Sequence, residues 1–443
     1  MKPARLQLTK WKIAAFSIAV LLGIGVIAVY RFLNSPDPPD QDPDHSSFNL
    51  TKKVIQAGML DLDKASLSPD GSTLLIDRGR QNPNAPETRW LEVRDVASFR
   101  TLAMIPLVTP PTTPLKMESV SQGVHFCNGG KSILVQEGDT TFSIIDARAY
   151  TQKASITLPV TIDRSAESPL YVDKPAVVLG SSCAANAPVA AVELLFGPFG
   201  TGVTKVFDLD TGKPIAEIAA DVAFGNLMNL DVSPAGASAA ILVERFQAGV
   251  LKPAYEALPH DYDLVILDLK TRTVRRKILS GMDGAHAAFA GEDEVAVAGS
   301  GEGDAPQAAA LTPEKPVIEL FDIHTGAVSG RFGDPADGAR TVVAASSDGH
   351  WLLGYTGKEW MYREGAGAYL QIGRARFTIW DRQTGKVMAQ SPGLQVFTTD
   401  YQMLDRSHSI GWRPTIDYSQ QGNAVLVSWP GFSTKRLEIF TIK

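Results

Sequence analysis

The sequence predicts an all-β fold: a seven-bladed β-propeller preceded by one N-terminal transmembrane helix. Three observations predict it. An uncharged apolar run lies near the start, a two-part phrase of strand and tight turn recurs from there to the C-terminus, and no helical stripe of convincing length separates the copies. The chain has 443 residues, 44% hydrophobic and 20% charged, with mean hydropathy near zero, a globular composition that excludes wholesale disorder and fibrous repeats. Such a length accommodates about two or three ordinary domains or one large all-β assembly. With 48 acidic residues against 42 basic, there is no cationic excess to draw in nucleic acid. Two cysteines exclude a disulfide scaffold and a four-cysteine zinc site, and the seven histidines show no pair at metal-ligand spacing.

Residues 1–12 carry Lys2, Arg5, Lys10 and Lys12 and no acid, and read as a cytoplasmic basic tail. The 18 uncharged residues 13–30 would span ~27 Å as a helix, close to the hydrocarbon thickness of a bilayer. A transmembrane signal-anchor is therefore expected over 13–31. Residues 32–47 form a Pro/Asp-rich linker with Asp37, Asp40, Asp42 and Asp44, an extended and self-repelling spacer. Cations before the run and anions after it orient the tail inside. The expected location is a single pass through the inner (cytoplasmic) membrane, with the body in the periplasm or outside. A cleaved signal peptide is the alternative; the run exceeds a typical signal core, and no A-x-A site follows Tyr30. Setting the five cations of residues 1–31 aside from the net −6 leaves about −11 for the exposed part.

Past the linker, a small-residue turn repeatedly precedes a short apolar strand. Ser68-Pro69-Asp70-Gly71 leads to Leu74-Leu75-Ile76, Ser233-Pro234-Ala235-Gly236 to Ala240-Ile241-Leu242, and Ser346-Ser347-Asp348-Gly349 to Trp351-Leu352-Leu353. Further copies begin at Cys127 and Ser419, with weaker ones at Ala184 and Ala290. Proline and Asp-Gly at these places supply the backbone angles of tight turns. The second half of the phrase is a strand ending in aspartate, then a turn: Val206-Phe207-Asp208-Leu209-Asp210-Thr211-Gly212, Leu320-Phe321-Asp322-Ile323-His324-Thr325-Gly326 and Ile379-Trp380-Asp381-Arg382-Gln383-Thr384-Gly385. The aspartates fall at 95, 146, 208, 268, 322 and 381, spaced 51 to 62 apart. Short strands on a long regular period indicate radial repetition.

These residues resemble the WD-repeat and YVTN-type β-propeller superfamily, over roughly residues 50–443. Trp380-Asp381 is the one literal Trp-Asp dipeptide, and Phe-Asp or Leu-Asp stands in its place elsewhere. Seven turns give seven blades, so that 48–443 is one propeller. The seventh blade has only three strands before Lys443, and the segment 51–57 is a strand with no blade of its own. The resemblance implies that this strand becomes the outer strand of the last blade, closing the ring and leaving no unpaired edge between its ends.

No catalytic constellation emerges: HExxH, CxxC, GxSxG and the Walker loop are all missing from the sequence. Gly299-Ser300-Gly301-Glu302-Gly303-Asp304 follows a strand but precedes no helix, so it reads as a loop rather than a dinucleotide turn. Asp208 and Asp210 sit in a repeated turn, where capping outweighs metal ligation. No catalytic residue, metal site or cofactor is expected. Cys127 and Cys183 both fall near the end of an innermost strand, in blades two and three. A bridge between them is one reading; a one-position difference in register argues instead for two separately buried thiols.

The connections at 77–89, 246–262, 300–316 and 356–374 are long, as are those between blades at 106–120, 159–173 and 391–413. In a propeller both sets emerge on one face, and long loops on a rigid scaffold are where recognition concentrates. Tyr255, Tyr262, Trp360, Tyr362, Arg78 and Arg413 are the residue types that anchor interfaces, and they are the expected contacts for a protein partner. The expected function is a membrane-anchored, extracytoplasmic propeller acting as a protein-binding or scaffolding module, touching membrane through its N-terminal helix only and no nucleic acid. The alternative is a propeller enzyme, a hydrolase or dehydrogenase, with a site at the channel mouth.

Overall fold

A strand buried on both faces reads as an unbroken apolar run, and the runs noted above are such strands. The computed structural model describes residues 50–57, 64–78, 89–107, 123–137, 141–158, 177–195, 201–245, 262–279, 283–300, 318–333, 339–364, 368–391, 394–400, 415–419, 424–429 and 435–442. Among them are 28 strands and no helix. The tail, transmembrane helix and linker expected at 1–47 lie outside the described residues, as do Tyr255 and Arg413.

Strand β1 (Leu50–Ala57) comes first in the chain but belongs to the last sheet. Blade 1 is β2 (Lys64–Leu67), β3 (Thr73–Arg78), β4 (Arg89–Asp95) and β5 (Thr101–Leu107). Blade 2 is β6 (Val124–Cys127), β7 (Ser132–Gln136), β8 (Thr141–Asp146) and β9 (Thr151–Thr157). Blade 3 is β10 (Val177–Cys183), β11 (Val189–Leu195), β12 (Thr201–Asp208) and the first half of β13 (Pro214–Val232). The second half of β13 opens blade 4, followed by β14 (Ser238–Arg245), β15 (Tyr262–Asp268) and β16 (Thr273–Ile278). Blade 5 is β17 (Asp283–Phe289), β18 (Glu294–Ser300), β19 (Ile318–Asp322) and β20 (Val328–Phe332). Blade 6 is β21 (Ala339–Ala345), β22 (Trp351–Glu364), β23 (Ala368–Asp381) and β24 (Val387–Gln390), with β25 (Leu394–Asp400) added against β23. Blade 7 is β26 (Thr415–Tyr418), β27 (Ala424–Trp429), β28 (Lys435–Ile442) and, outermost, β1, which pairs antiparallel with β28 from Leu50↔Ile442 to Ala57↔Lys435.

The core is a set of layers between adjacent blades. Along β14, Ala239, Ile241 and Val243 pack toward blade 3, while Ala240 and Leu242 pack toward blade 5, so residues of both parities are apolar. Equivalent layers join blades 1 and 2, 2 and 3, 5 and 6, and 7 and 1. Phe377 and Phe440 meet edge-on at 4.7 Å between blades 6 and 7. Each Leu or Ile so buried contributes about 1.5–3 kcal/mol. Backbones approach closely at the turns: Gly236 holds φ +72°, and a Cβ there would lie 2.9 Å from Val189 Cβ.

Six blades join their third and fourth strands by a hairpin. In five of them the fourth strand carries a β-bulge beside the turn, at Leu102, Lys153, Ile215, Ser329 and Met388. The pairing of β15 with β16 runs without a skip.

Two connections expected to be loops contain regular strand. Residues 356–374 are largely a β-ribbon, because β22 and β23 stay paired from Trp351↔Asp381 out to Glu364↔Ala368. Within 391–413, β25 pairs with β23 from Tyr369↔Asp400 to Ala375↔Leu394.

Candidate functional site

Turns between first and second strands, and between third and fourth, share one face of the ring, and the aspartates that end the third strands serve their own turns. Asp208 Oδ1 accepts from Asp210 N (3.0 Å), Thr211 N (2.7 Å) and Thr211 Oγ1 (2.8 Å). Asp322 accepts in the same way from His324 N, Thr325 N and Thr325 Oγ1. In Asp146, Asp268, Asp322 and Asp381 the backbone N–H three residues on is the main cause holding the carboxyl below its ordinary range. Asp208 is thus a cap, and Asp210 instead pairs with Lys153 at 2.6 Å. Among the described residues, no group of three or more His, Cys, Asp or Glu could hold a metal ion.

The innermost strands carry polar links that sequence reasoning missed. Asp231 on β13 accepts from Phe289 N of blade 5 (2.8 Å), Ser182 Oγ of blade 3 (3.0 Å) and its neighbour Val232 N (2.9 Å). Two residues earlier, Asn229 Oδ1 accepts from Ala287 N at 2.7 Å. Asp417 on β26 repeats the device, accepting from Leu67 N (2.7 Å) and Ser66 Oγ (2.8 Å) of blade 1. Burial pushes the Asp231 carboxyl up to about 6 and raises that of Asp417, against the hydrogen bonds that lower both. A sequence signal existed: both aspartates stand two residues before the serine of the first turn, at Ser233 and Ser419.

Cys127 and Cys183 form a disulfide, with Cα atoms 5.7 Å apart. The register difference that argues for separate thiols is what brings them together. Stacked sheets present opposite faces to each other, so a bridge across the gap needs one cysteine from each kind of face. Both cysteines accordingly belong to the layer between blades 2 and 3.

Glu193 on β11 is fully buried, its carboxyl bonded to the Thr204 hydroxyl across the sheet, and burial pushes it up to about 8.

The opposite face carries the long connections. Tyr262 is not a loop anchor: it opens β15 and is 6% exposed, packed with Leu264 and Ile266 in the layer between blades 4 and 5. The alternation of β15 carries it into the core. Arg78 ends β3, opposite Trp90. Trp360 and Tyr362 lie on β22, opposite Ile372 and Leu370. The pairing of β21 with β22 ends at Gly357, and that of β24 with β23 is confined to residues 378–380. Residues 358–364 therefore run beyond the blade for roughly 20 Å at about 3.3 Å per residue, paired with β23, which carries β25 on its other edge.

This ring of blades has counterparts among solved structures. The chain is similar to one in the crystal structure of the Mitotic Checkpoint Complex at 13% identity, covering 92% of this chain and 97% of that one with a TM-score of 0.52. It is similar to the WD40 repeats of RRP9 at 10% identity, covering 88% and 97% with a TM-score of 0.52. The fold is that of a WD40-type β-propeller. The structure of U3-55K matches this propeller to the same extent, at 10% identity and a TM-score of 0.52 over 88% of this chain and 98% of that one. No family model matches the sequence, and no curated protein matches it.

Proposed function

We propose that this propeller is a membrane-anchored, extracytoplasmic module that binds a protein partner on the face carrying its long connections. The observation that carries the reading is the three-stranded ribbon of blade 6. Residues 358–364 outrun the pairing of β22 with β21, and the aromatics at 360 and 362 are residue types that anchor interfaces. On the other face the strand-end aspartates are spent on their own turns, and Asp210 and Glu292 on neighbouring blades. Two features support the anchor and the location. Residues 13–30 are uncharged between a cationic and an anionic flank, and the Cys127–Cys183 disulfide is the kind of bond that persists in oxidising compartments.

One experiment addresses both halves. Intact spheroplasts are treated with a membrane-impermeant crosslinker, comparing the parent with a variant in which Tyr255, Trp360 and Tyr362 become serine. The parent should be crosslinked to a partner from outside, and the variant should lose that product while melting within a few degrees of the parent. Interface anchors contribute about 2 kcal/mol or more each, whereas exposed changes cost a fold about 0.5 or less. A body unreachable from outside would reverse the orientation. A variant that melts early yet keeps its partner would remove this face as the binding surface.

A further inference from the structure

Blade 4 differs from the other hairpin-linked blades at its outer edge, in backbone and in charge. Strand β16 is the last of its sheet and is paired on one side only. Leu279 N donates to Tyr262 O at 2.7 Å. Bonding alternates along an antiparallel ladder, so Thr273, Arg275 and Lys277 direct their N–H and C=O groups at β15, and Val274, Arg276 and Ile278 direct theirs outward. In the other five hairpins a bulge beside the turn interrupts the outer strand, a device that blunts sheet edges. At β16 the register is unbroken. Strand β1 is also regular, with two cations, Lys52 and Lys53, in its length.

Five cations fall within residues 270–277, all exposed, on a chain of net charge −6: Lys270, Arg272, Arg275, Arg276 and Lys277. Arg272 donates to Ile215 O and Arg275 to Ile323 O, both at 3.3 Å, which holds these side chains against blades 3 and 5. Arg276 lies 3.6 Å from the buried Asp263 carboxylate. Lys270 and Lys277 make no ion pair among the described residues. Val274 is 41% exposed between them. Two copies meeting edge to edge here would set the same cations against each other, so the edge is guarded against self-association and open to the opposite charge.

We propose that the outer edge of β16 accepts an acidic, proline-poor segment of a partner protein as an added strand. Main-chain bonds would form to Val274, Arg276 and Ile278, while carboxylates of the added strand meet the surrounding lysines and arginines. The site is separate from the face proposed above.

The probe is a fluorescein-labelled octapeptide, Glu-Val-Glu-Thr-Glu-Val-Glu-Thr, titrated against the full-length chain and followed by anisotropy. Saturable binding is expected, weakened about tenfold or more by the double change Lys270→Glu and Lys277→Glu. The same peptide N-methylated at alternate residues should bind at least about tenfold more weakly, and amide exchange at Val274, Arg276 and Ile278 should slow about tenfold at saturation. Absence of saturable binding overturns the proposal. Equal binding of the N-methylated peptide, or unchanged exchange at those three amides, also overturns it, since charge alone would then be at work. The serine variant of the long-connection face should bind the octapeptide as the parent does, so the two readings fail separately.

Discussion

The seam between blades 2 and 3 and the seam between blades 4 and 5 are both closed along the innermost strands, by opposite means. The first has the Cys127–Cys183 bond, beside backbone links from Asn128 N to Ala184 O (3.0 Å) and from Gly129 N to Ala185 O (2.5 Å). The second has side-chain acceptors, Asn229 and Asp231, taking the N–H groups of Ala287 and Phe289. A covalent seam answers to reductant and is indifferent to protonation; a carboxyl seam is the reverse. The seam between blades 7 and 1, where the chain ends meet, is of the carboxyl kind through Asp417. The lesson is that a ring of like blades is held by unlike fasteners, each sensitive to a different condition.

The largest effect expected is at the covalent seam. Changing Cys127 and Cys183 together to serine frees a loop spanning a sequence separation of 56, and should cost about 2–5 kcal/mol. The check is thermal melting with and without reductant: the parent should drop toward the variant when reduced, and the variant should not move. A parent insensitive to reductant would show that the bond contributes little.

A smaller effect is expected at the carboxyl seam. Asp231→Ala strands the Phe289 N–H and should cost about 2–3 kcal/mol, whereas Asp231→Asn keeps an acceptor and should cost less. The pH dependence follows from the raised carboxyl. Unfolded, it loses its proton near pH 4; folded, only at about 6, so the folded state holds an extra proton in between. Its contribution to stability is therefore present below pH 4 and lost as pH rises through 6. Melting temperatures of parent and asparagine variant across pH 4 to 7 should show the parent's slope flattened in the variant. Parallel curves would mean that Asp231 titrates as it does in the unfolded chain.

The smallest effect belongs to the turn caps, whose carboxylates bond within their own turns. Asp322→Ala removes an acceptor from His324 N and Thr325 N and should cost about 1 kcal/mol. Denaturant midpoints measure this directly. A loss as large as at Asp231 would erase the distinction between local turns and seams.

Much of the fold is legible in the sequence. The Asp208, Asp322 and Asp381 turns and the apolar runs at 74–76, 133–135 and 240–242 announce hairpins and doubly buried strands, because both signals are written in neighbouring residues. The site is less legible. Tyr262 reads as a loop residue from its place after a long connection, but the parity it shares with Leu264 and Ile266 buries it. Residues 358–364 read as loop as well; the partners that make them strand, 368–374, lie across a turn, and those are paired in their turn by 394–400 from a later connection.

By itself the sequence determines the number of blades, the turn chemistry and which strands are apolar on both faces, since each depends on spacing within a few residues. Only the tertiary structure decides that Cys127 meets Cys183, that Asp231 meets the amide of Phe289, and that β16 alone among the hairpin-linked outer strands lacks a bulge. Those pairings join residues 56 and 58 positions apart. They depend on how one sheet's forward face is laid against the next sheet's back face, a relation that local propensity does not encode.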